Sequence, residues 1–244
     1  MRVTGTSTVV GFAKNQRLSD HAPVLSRKTD IGRVLTFNIL TQARAQEGRV
    51  NNGFGINESS AQYRARLHDV AQEVRRLSRA PDVTVVALQE APVQDEKALA
   101  VLTKALGSAW KVFTQVSLGN DFGTLTAVRT QALDVVEAPV VSLPEQNGRV
   151  QLLTLTPKSG GGPVRFANVH LDWAKGATAD LEALLGAPKV IVAGDFNRDP
   201  DDATRGFASL GKGARIEFPK GPTSVAFGKP SGTQRIDGFI TRGV

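Results

Sequence analysis

Short apolar runs that stop on a polar side chain recur along the chain, interrupted by stretches of helical periodicity. The β-branched run 190–192 reads as a buried strand that continues to Gly194 and presents Asp195, Phe196 and Asn197. In an extended chain, residues two apart face the same way, so Asp195 and Asn197 are expected to share one spot while Phe196 anchors the loop. Arg198, Asp199 and Pro200 then end the strand. The same design predicts strands over 33–37 ending on Asn38, 83–88 delivering Gln89 and Glu90, 164–171 carrying His170, and 235–240 containing Asp237. Further strands are expected at 6–12, 110–116, 122–129, 135–142 and 150–156, with hairpin turns at Gln146-Asn147-Gly148 and Ser159-Gly160-Gly161-Gly162. Apolar residues at 63, 67, 70, 74 and 77 predict an amphipathic helix over about 59–77, and two more helices are expected near 93–106 and 177–185. Residues 41–57 and the Gly/Pro-rich stretch after Pro200 read as loops. The pattern predicts one α/β domain across 1–244, with two sheets packed face to face and helices outside.

Composition narrows the chemistry. A net charge of +7 and a pI of about 10.0 favour a polyanionic partner, nucleic acid or an anionic membrane surface. With no cysteine and three histidines, a metal site must be mostly oxygen-ligated, which suits Mg²⁺, Mn²⁺ or Ca²⁺ better than Zn²⁺. No apolar run is long enough for a membrane span, and the first residues lack a signal-peptide core. A removed leader would leave both secretion and a cytoplasmic location open, and a monomer is expected.

Each strand-end residue has an ordinary reading alone: a solvated carboxylate at Glu90, a turn former at Asn38, a satisfied histidine at His170, an Asp237 paired with Arg235. Taken together, Thr-Phe-Asn38, Leu-Gln-Glu90, Asn-Val-His170, Gly-Asp195-Phe-Asn197, Arg235-Ile-Asp237 and Ser19-Asp20-His21 form a set spanning nearly the whole sequence. In these motifs the chain resembles the endonuclease/exonuclease/phosphatase superfamily, the deoxyribonuclease I-like fold. The resemblance implies a four-layer α-β-β-α sandwich of two mixed sheets (class α/β, α+β). It departs from the family in one respect: Ser-Asp-His ordinarily follows the Ile-Asp strand, whereas here it lies near the N-terminus. The order therefore looks circularly permuted, with residues 1–30 corresponding to the usual C-terminal strand and Ser-Asp-His element.

What the resemblance implies for the site is a divalent ion held by Glu90, with Asn38 and Asp20 on or near it. Asp195 would act as general base, with Asn197 positioning it and the phosphate. His21, oriented by Asp237, and His170 would hold phosphate oxygens, and sequence leaves the acid–base division between Asp195 and His21 open. Arg198 and Arg235 are candidates for contacting a neighbouring phosphate, and Trp173 for packing beneath the site or stacking on a base. The segment Gly194–Pro200 is also similar to that of the catalytic subunit of cytolethal distending toxins. The expected activity is a Mg²⁺-dependent nuclease. The alternatives are a phosphoinositide phosphatase or sphingomyelinase-type phosphodiesterase on the same frame, and a non-catalytic nucleic-acid-binding module.

Overall fold

The computed structural model describes residues 7–10, 18–42, 58–117, 120–137, 150–171, 178–201, 207, 210, 213–225 and 233–244. Its first sheet is built from β1 (Thr8–Val9), β2 (Val24–Leu25), β3 (Arg33–Asn38), β4 (Val83–Ala91), β5 (Trp110–Val116) and β6 (Gly123–Arg129), in the order β1-β2-β3-β4-β6-β5. The second sheet contains β7 (Leu133–Glu137), β8 (Val150–Pro157), β9 (Val164–His170), β10 (Val190–Asp195), β11 (Arg215–Glu217) and β14 (Asp237–Arg242), in the order β11-β14-β10-β9-β8-β7. A small hairpin, β12 (Ser224–Val225) with β13 (Thr233–Gln234), lies between β11 and β14 in sequence. Each large sheet has a single parallel pair, β3 with β4 and β9 with β10. A helix connects each pair, as parallel strands require: α1 (Ser60–Ser78) follows β3 and α3 (Thr178–Leu184) follows β9. A third helix among the described residues, α2 (Glu96–Leu106), follows β4.

Alternation along the strands sorts their side chains into three apolar layers. Leu35, Phe37, Val86 and Leu88 pack outward against Leu67, Val70, Val74 and Leu102 of α1 and α2. Val34, Val85, Ala87, Phe166, Ile191, Ala193 and Phe239 fill the space between the sheets. Ala167, Val169, Val190 and Val192 face the other way, onto Leu181 and Leu184 of α3. These layers make the four-layer sandwich with helices outside.

Local signals set the helix limits. Ser59 and Gln62 form a capping box at α1: Gln62 N donates to Ser59 Oγ at 3.2 Å, and Ser59 N donates to Gln62 Oε1 at 2.8 Å. The helix expected from residue 93 starts at Glu96, because Asp95 accepts from Lys97 N and Ala98 N and so caps it. The last strand runs two residues later than expected, to Arg242. Strands β11 to β13 fall in the stretch read as loop, being too short to show a period. The turn Gln146-Asn147-Gly148 and the second half of the 135–142 strand lie outside the described residues.

Gly194 is where β10 and β9 approach most demandingly. It has φ 149°, and a Cβ there would sit 2.0 Å from the Val169 carbonyl oxygen. Gly194→Ala is expected to destabilise the fold by at least about 3 kcal/mol, combining overpacking with backbone strain. Gly162→Ala, in open space, should change stability little; urea denaturation of the two variants against wild type checks both.

Candidate active site

The carboxyl ends of both parallel pairs open on the same side of the sandwich. On β3, the inter-sheet face carries Val34, Thr36 and Asn38; on β9 it carries Phe166, Asn168 and His170; on β10, Ile191, Ala193 and Asp195. Pairing then fixes the lateral order, because Asp195 lies opposite His170 on one side and Asp237 on the other. Period-two alternation alone therefore sends Asn38, His170, Asp195 and Asp237 into the gap between the sheets.

Glu90 arrives differently. It has the parity of Leu88, which faces the helices, so a regular strand would point its carboxylate outward. A register shift between Leu88 and Ala91 and a φ of 53° at Glu90 redirect it. Its Oε1 then accepts from Asn38 Nδ2 at 3.3 Å and its Oε2 from Thr41 N at 3.1 Å. Left-handed backbone at a non-glycine residue costs on the order of 1–3 kcal/mol, and here it serves to aim a carboxylate.

The expected extended geometry of Asp195 and Asn197 is corrected. The strand ends at Asp195, and Asn197, at φ 50°, folds back so that its N–H donates to Asp195 Oδ1 at 2.8 Å. The Asn197 side chain donates to Leu171 O at 2.9 Å, tying the end of β9 to the turn after β10. Phe196 does anchor the loop, buried against Phe207 and Phe218 with ring centroids 5.4 and 5.3 Å away.

Seven side chains converge in the gap. Asn38 Nδ2 also donates to Asp195 Oδ2 at 3.0 Å, linking the two sheets. His170 Nε2 lies 3.7 Å from Glu90 Oε1 and 3.6 Å from Asp195 Oδ2. His21 joins from far along the chain: its Nδ1 is 2.9 Å from Asp237 Oδ2, while its Nε2 faces Asp195 Oδ2 at 3.7 Å and Asp20 Oδ1 at 3.9 Å. Ser19 Oγ donates to Asn38 O at 2.7 Å, which places Asp20 beside the end of β3. Trp173 lies outside the described residues. Arg198 is buried, and Arg235 is engaged by the Asp199 and Asp201 carboxylates of the loop after β10.

Sequence reading passed over Thr223. Its hydroxyl accepts from Ile236 N and Asp237 N at 2.9 and 3.0 Å, while its carbonyl accepts from Ala22 N at 2.7 Å. One residue thus holds the backbones beside both Asp237 and His21. A threonine in a Gly/Pro-rich stretch carries no signal that would single it out.

The electrostatics follow from crowding charge in a dry gap. Burial disfavours a charged His21, but the carboxylates of Asp237, Asp195 and Asp20 outweigh it and hold its pKa well above the usual histidine value. The surrounding carboxylates thus favour the imidazolium form of the ring. Burial raises the Asp195 carboxyl, with Asp237 adding to the rise and His21, His170 and Asn38 opposing it. Asp20 is pushed up to about 6, first by burial, with Glu90 and Asp195 adding to the rise and His21 opposing it. The donor set suits a hard cation: carboxylate oxygens of Glu90, Asp20 and Asp195 face a gap where excess negative charge is unfavourable. Ligand atoms of His21, Asp195 and Asp237 also lie within 4.8 Å of one another. The His21–Asp237 hydrogen bond accounts for part of that closeness, and both this group and the carboxylates beside Glu90 offer ligand atoms to a cation.

The Endonuclease/Exonuclease/phosphatase family profile matches residues 35–243. The chain belongs to this family. Its members hydrolyse phosphoesters, and the chain shares that general chemistry. Ser19-Asp20-His21 precedes the matched region and reaches the site only through the fold. A family protein from Bacteroides thetaiotaomicron superposes with a TM-score of 0.58 at 17% identity, covering 86% of this chain and 80% of that one. The endonuclease domain of TRAS1, a telomere-specific non-LTR retrotransposon, gives 0.51 at 18%, covering 73% and 81%. D. rerio TDP2 complexed with single-strand DNA product gives 0.50 at 21%, covering 72% and 77%. No curated protein sequence matches the chain.

The raised Asp20 pKa has a consequence for the metal-free protein. A carboxyl whose folded pKa of about 6 exceeds its ordinary value of 3.8 contributes stability that is present below pH 3.8 and lost as pH rises through 6. The loss is at most about 3 kcal/mol. In EDTA, Asp20→Asn is expected to melt like wild type near pH 4 and above wild type at pH 7.5; thermal melts across that range check it.

Proposed function

We propose that the protein is a divalent-metal-dependent phosphodiesterase acting on nucleic acid. The observation that carries the proposal is the pair of clusters in one gap: Asn38–Glu90 from one sheet meets Asp237–His21 around Asp195 of the other. Glu90 and Asp20 would hold Mg²⁺, with Asn38 beside them, and the bound cation would draw charge from a phosphate oxygen. Asp195 is fixed through both oxygens, by Asn38 and by Asn197 N. Its raised pKa makes it a stronger base for an attacking water than an exposed aspartate. The imidazolium of His21, its Nδ1–H held by Asp237, directs Nε2–H toward the same gap to bind a phosphate oxygen that gains charge. His170 Nε2 lies across Asp195 from it as a second donor.

Nucleic acid is favoured by the net charge of +7 and by two relatives in the fold, one named an endonuclease and one bound to single-strand DNA. Plasmid nicking with Mg²⁺ is expected for wild type and should fall by about 10³-fold or more in His21→Ala and Asp195→Ala. Absence of nicking by wild type, with phosphate released from a phosphoinositide, would replace this reading by a lipid phosphatase. Nucleic-acid binding that persists in EDTA with no turnover of any substrate would replace it by a binding module.

We also infer that the chain order is a circular permutation of the family's, with residues 1–30 filling the role of the C-terminal element. Support comes from Ser7 Oγ, which donates to Glu217 O at 3.2 Å, and from Arg27 Nη2, which donates to Val244 O at 3.0 Å. Both contacts tie residues of the 1–30 segment to the β11 and β14 side of the second sheet, where Val244 follows β14. Joining residue 244 to residue 1 through a short linker and reopening before Arg33 is expected to give a cooperatively folding, nicking-competent protein. Failure of that variant to fold would count against the permutation.

A further inference from the structure

Arg66 sits on α1, outside every motif of the site, yet all its guanidinium nitrogens are engaged. Nη1 donates to Leu18 O and Ile39 O, both at 2.9 Å, and Nη2 donates to Leu40 O at 2.9 Å. Nε and Nη2 make a two-pronged contact with Glu58, at 2.8 and 2.9 Å. The Tyr63 ring, one helical turn earlier, lies 5.4 Å from the Arg66 guanidinium carbon. The residue as a whole is 8% exposed, so a flat, rigid cation is buried where the chain presents only carbonyl oxygens and one carboxylate.

The carbonyls it gathers are the informative part. Leu18 leads directly into Ser19-Asp20-His21, and Ile39 and Leu40 leave directly from Asn38. Those two segments come from opposite sides of the family-matched boundary at residue 35. Among the described residues, two sets of hydrogen bonds link them, the Ser19 Oγ bond to Asn38 O and the Arg66 fork. Leu40, whose carbonyl Arg66 holds, has φ 54°, and its N–H is tied as well, donating to Asn38 Oδ1 at 3.1 Å. The left-handed turn that sets the Asn38 amide, and through it Glu90 and Asp195, is therefore braced from behind by Arg66.

We propose that Arg66 is a positioning residue for the cation side of the site, holding Asp20 and Asn38 at the spacing a divalent ion requires. The proposal rests on the phosphodiesterase reading above. Lysine in its place would keep the charge but lose the fork, since one ammonium cannot span three carbonyls and a carboxylate. Removal of such a bracing partner typically weakens metal binding about 10–100-fold.

Arg129 provides the control. It too is a partly buried arginine bonded to carbonyls, of Ser78, Ala80 and Val83, and it stacks on Trp110 at 4.7 Å, but these lie at the opposite end of α1. Arg66→Lys and Arg129→Lys are compared with wild type in three measurements: thermal melting, Mn²⁺ affinity by electron paramagnetic resonance, and amide hydrogen exchange. Both variants are expected to lose stability. Only Arg66→Lys should bind Mn²⁺ at least about tenfold more weakly and exchange faster at the amides of residues 19–21 and 39–41. Should Arg66→Lys fail to fold, Glu58→Gln, which loosens the fork while leaving the arginine, serves in its place with the same expectations. Unchanged exchange at those amides, unchanged Mn²⁺ affinity, or equal effects from Arg129→Lys would overturn the proposal. Wild-type protein that binds no Mn²⁺ and cleaves no phosphoester would instead overturn the function on which it rests.

Discussion

The side-chain amide of Gln89 donates to the Asn168 carbonyl oxygen at 2.7 Å, across the gap between the two sheets. Around this bond a buried polar layer closes: Gln89 also donates to Thr36 Oγ1 at 3.0 Å, and Asn168 donates to Leu88 O, Leu125 O and Thr126 Oγ1. Apolar packing between sheets tolerates small sliding movements, whereas a hydrogen-bonded amide pair in a dry interior has one good geometry. This layer lies directly beneath the site, one alternation step below Asn38 and His170. It fixes which end of one parallel pair faces which end of the other, and so allows residues from both sheets to meet within hydrogen-bond distance.

Above that layer the molecule accepts local costs. Glu90 and Asn197 take up left-handed backbone, and Leu40 does the same just after Asn38. Asp20, Glu90, Asp195 and Asp237 crowd four carboxyl groups around two imidazoles, and burial, with the neighbouring carboxylates adding to it, raises the pKa of Asp20 and of Asp195. Such unfavourable conformations and charges persist where the surrounding frame overdetermines them, and they collect at functional sites. Here the frame is the pair of parallel β units with their outer helices, reinforced by Thr223 and Arg66 from behind.

Much of the site was legible because strand ends advertise themselves. Asn38, His170 and Asp195 each follow an apolar run with the correct parity, and Asp237 opens one; buried strands and their exits leave this signature in any sequence. Less legible were residues whose geometry depends on a broken rule. Glu90 has the wrong parity until the bulge turns it, and Asn197 reaches Asp195 by a turn and a backbone N–H, not by lying two residues along a strand. Thr223 and Arg66 carried no motif at all, because backbone carbonyls and N–H groups are identical at every position and cannot be read as partners.

The sequence by itself determined the alternation of strands and helices, the sidedness of each element and the types of side chain available for phosphoester chemistry, since these follow from local periodicity and residue chemistry. Only the tertiary structure decided that His21 meets Asp237 across 216 positions of chain, that Asn38 bridges Glu90 to Asp195, and that Arg235 pairs with Asp199 and Asp201. Long-range pairing of that kind depends on sheet register and inter-sheet packing, which arise from the whole set of contacts and leave no mark on any single stretch of sequence.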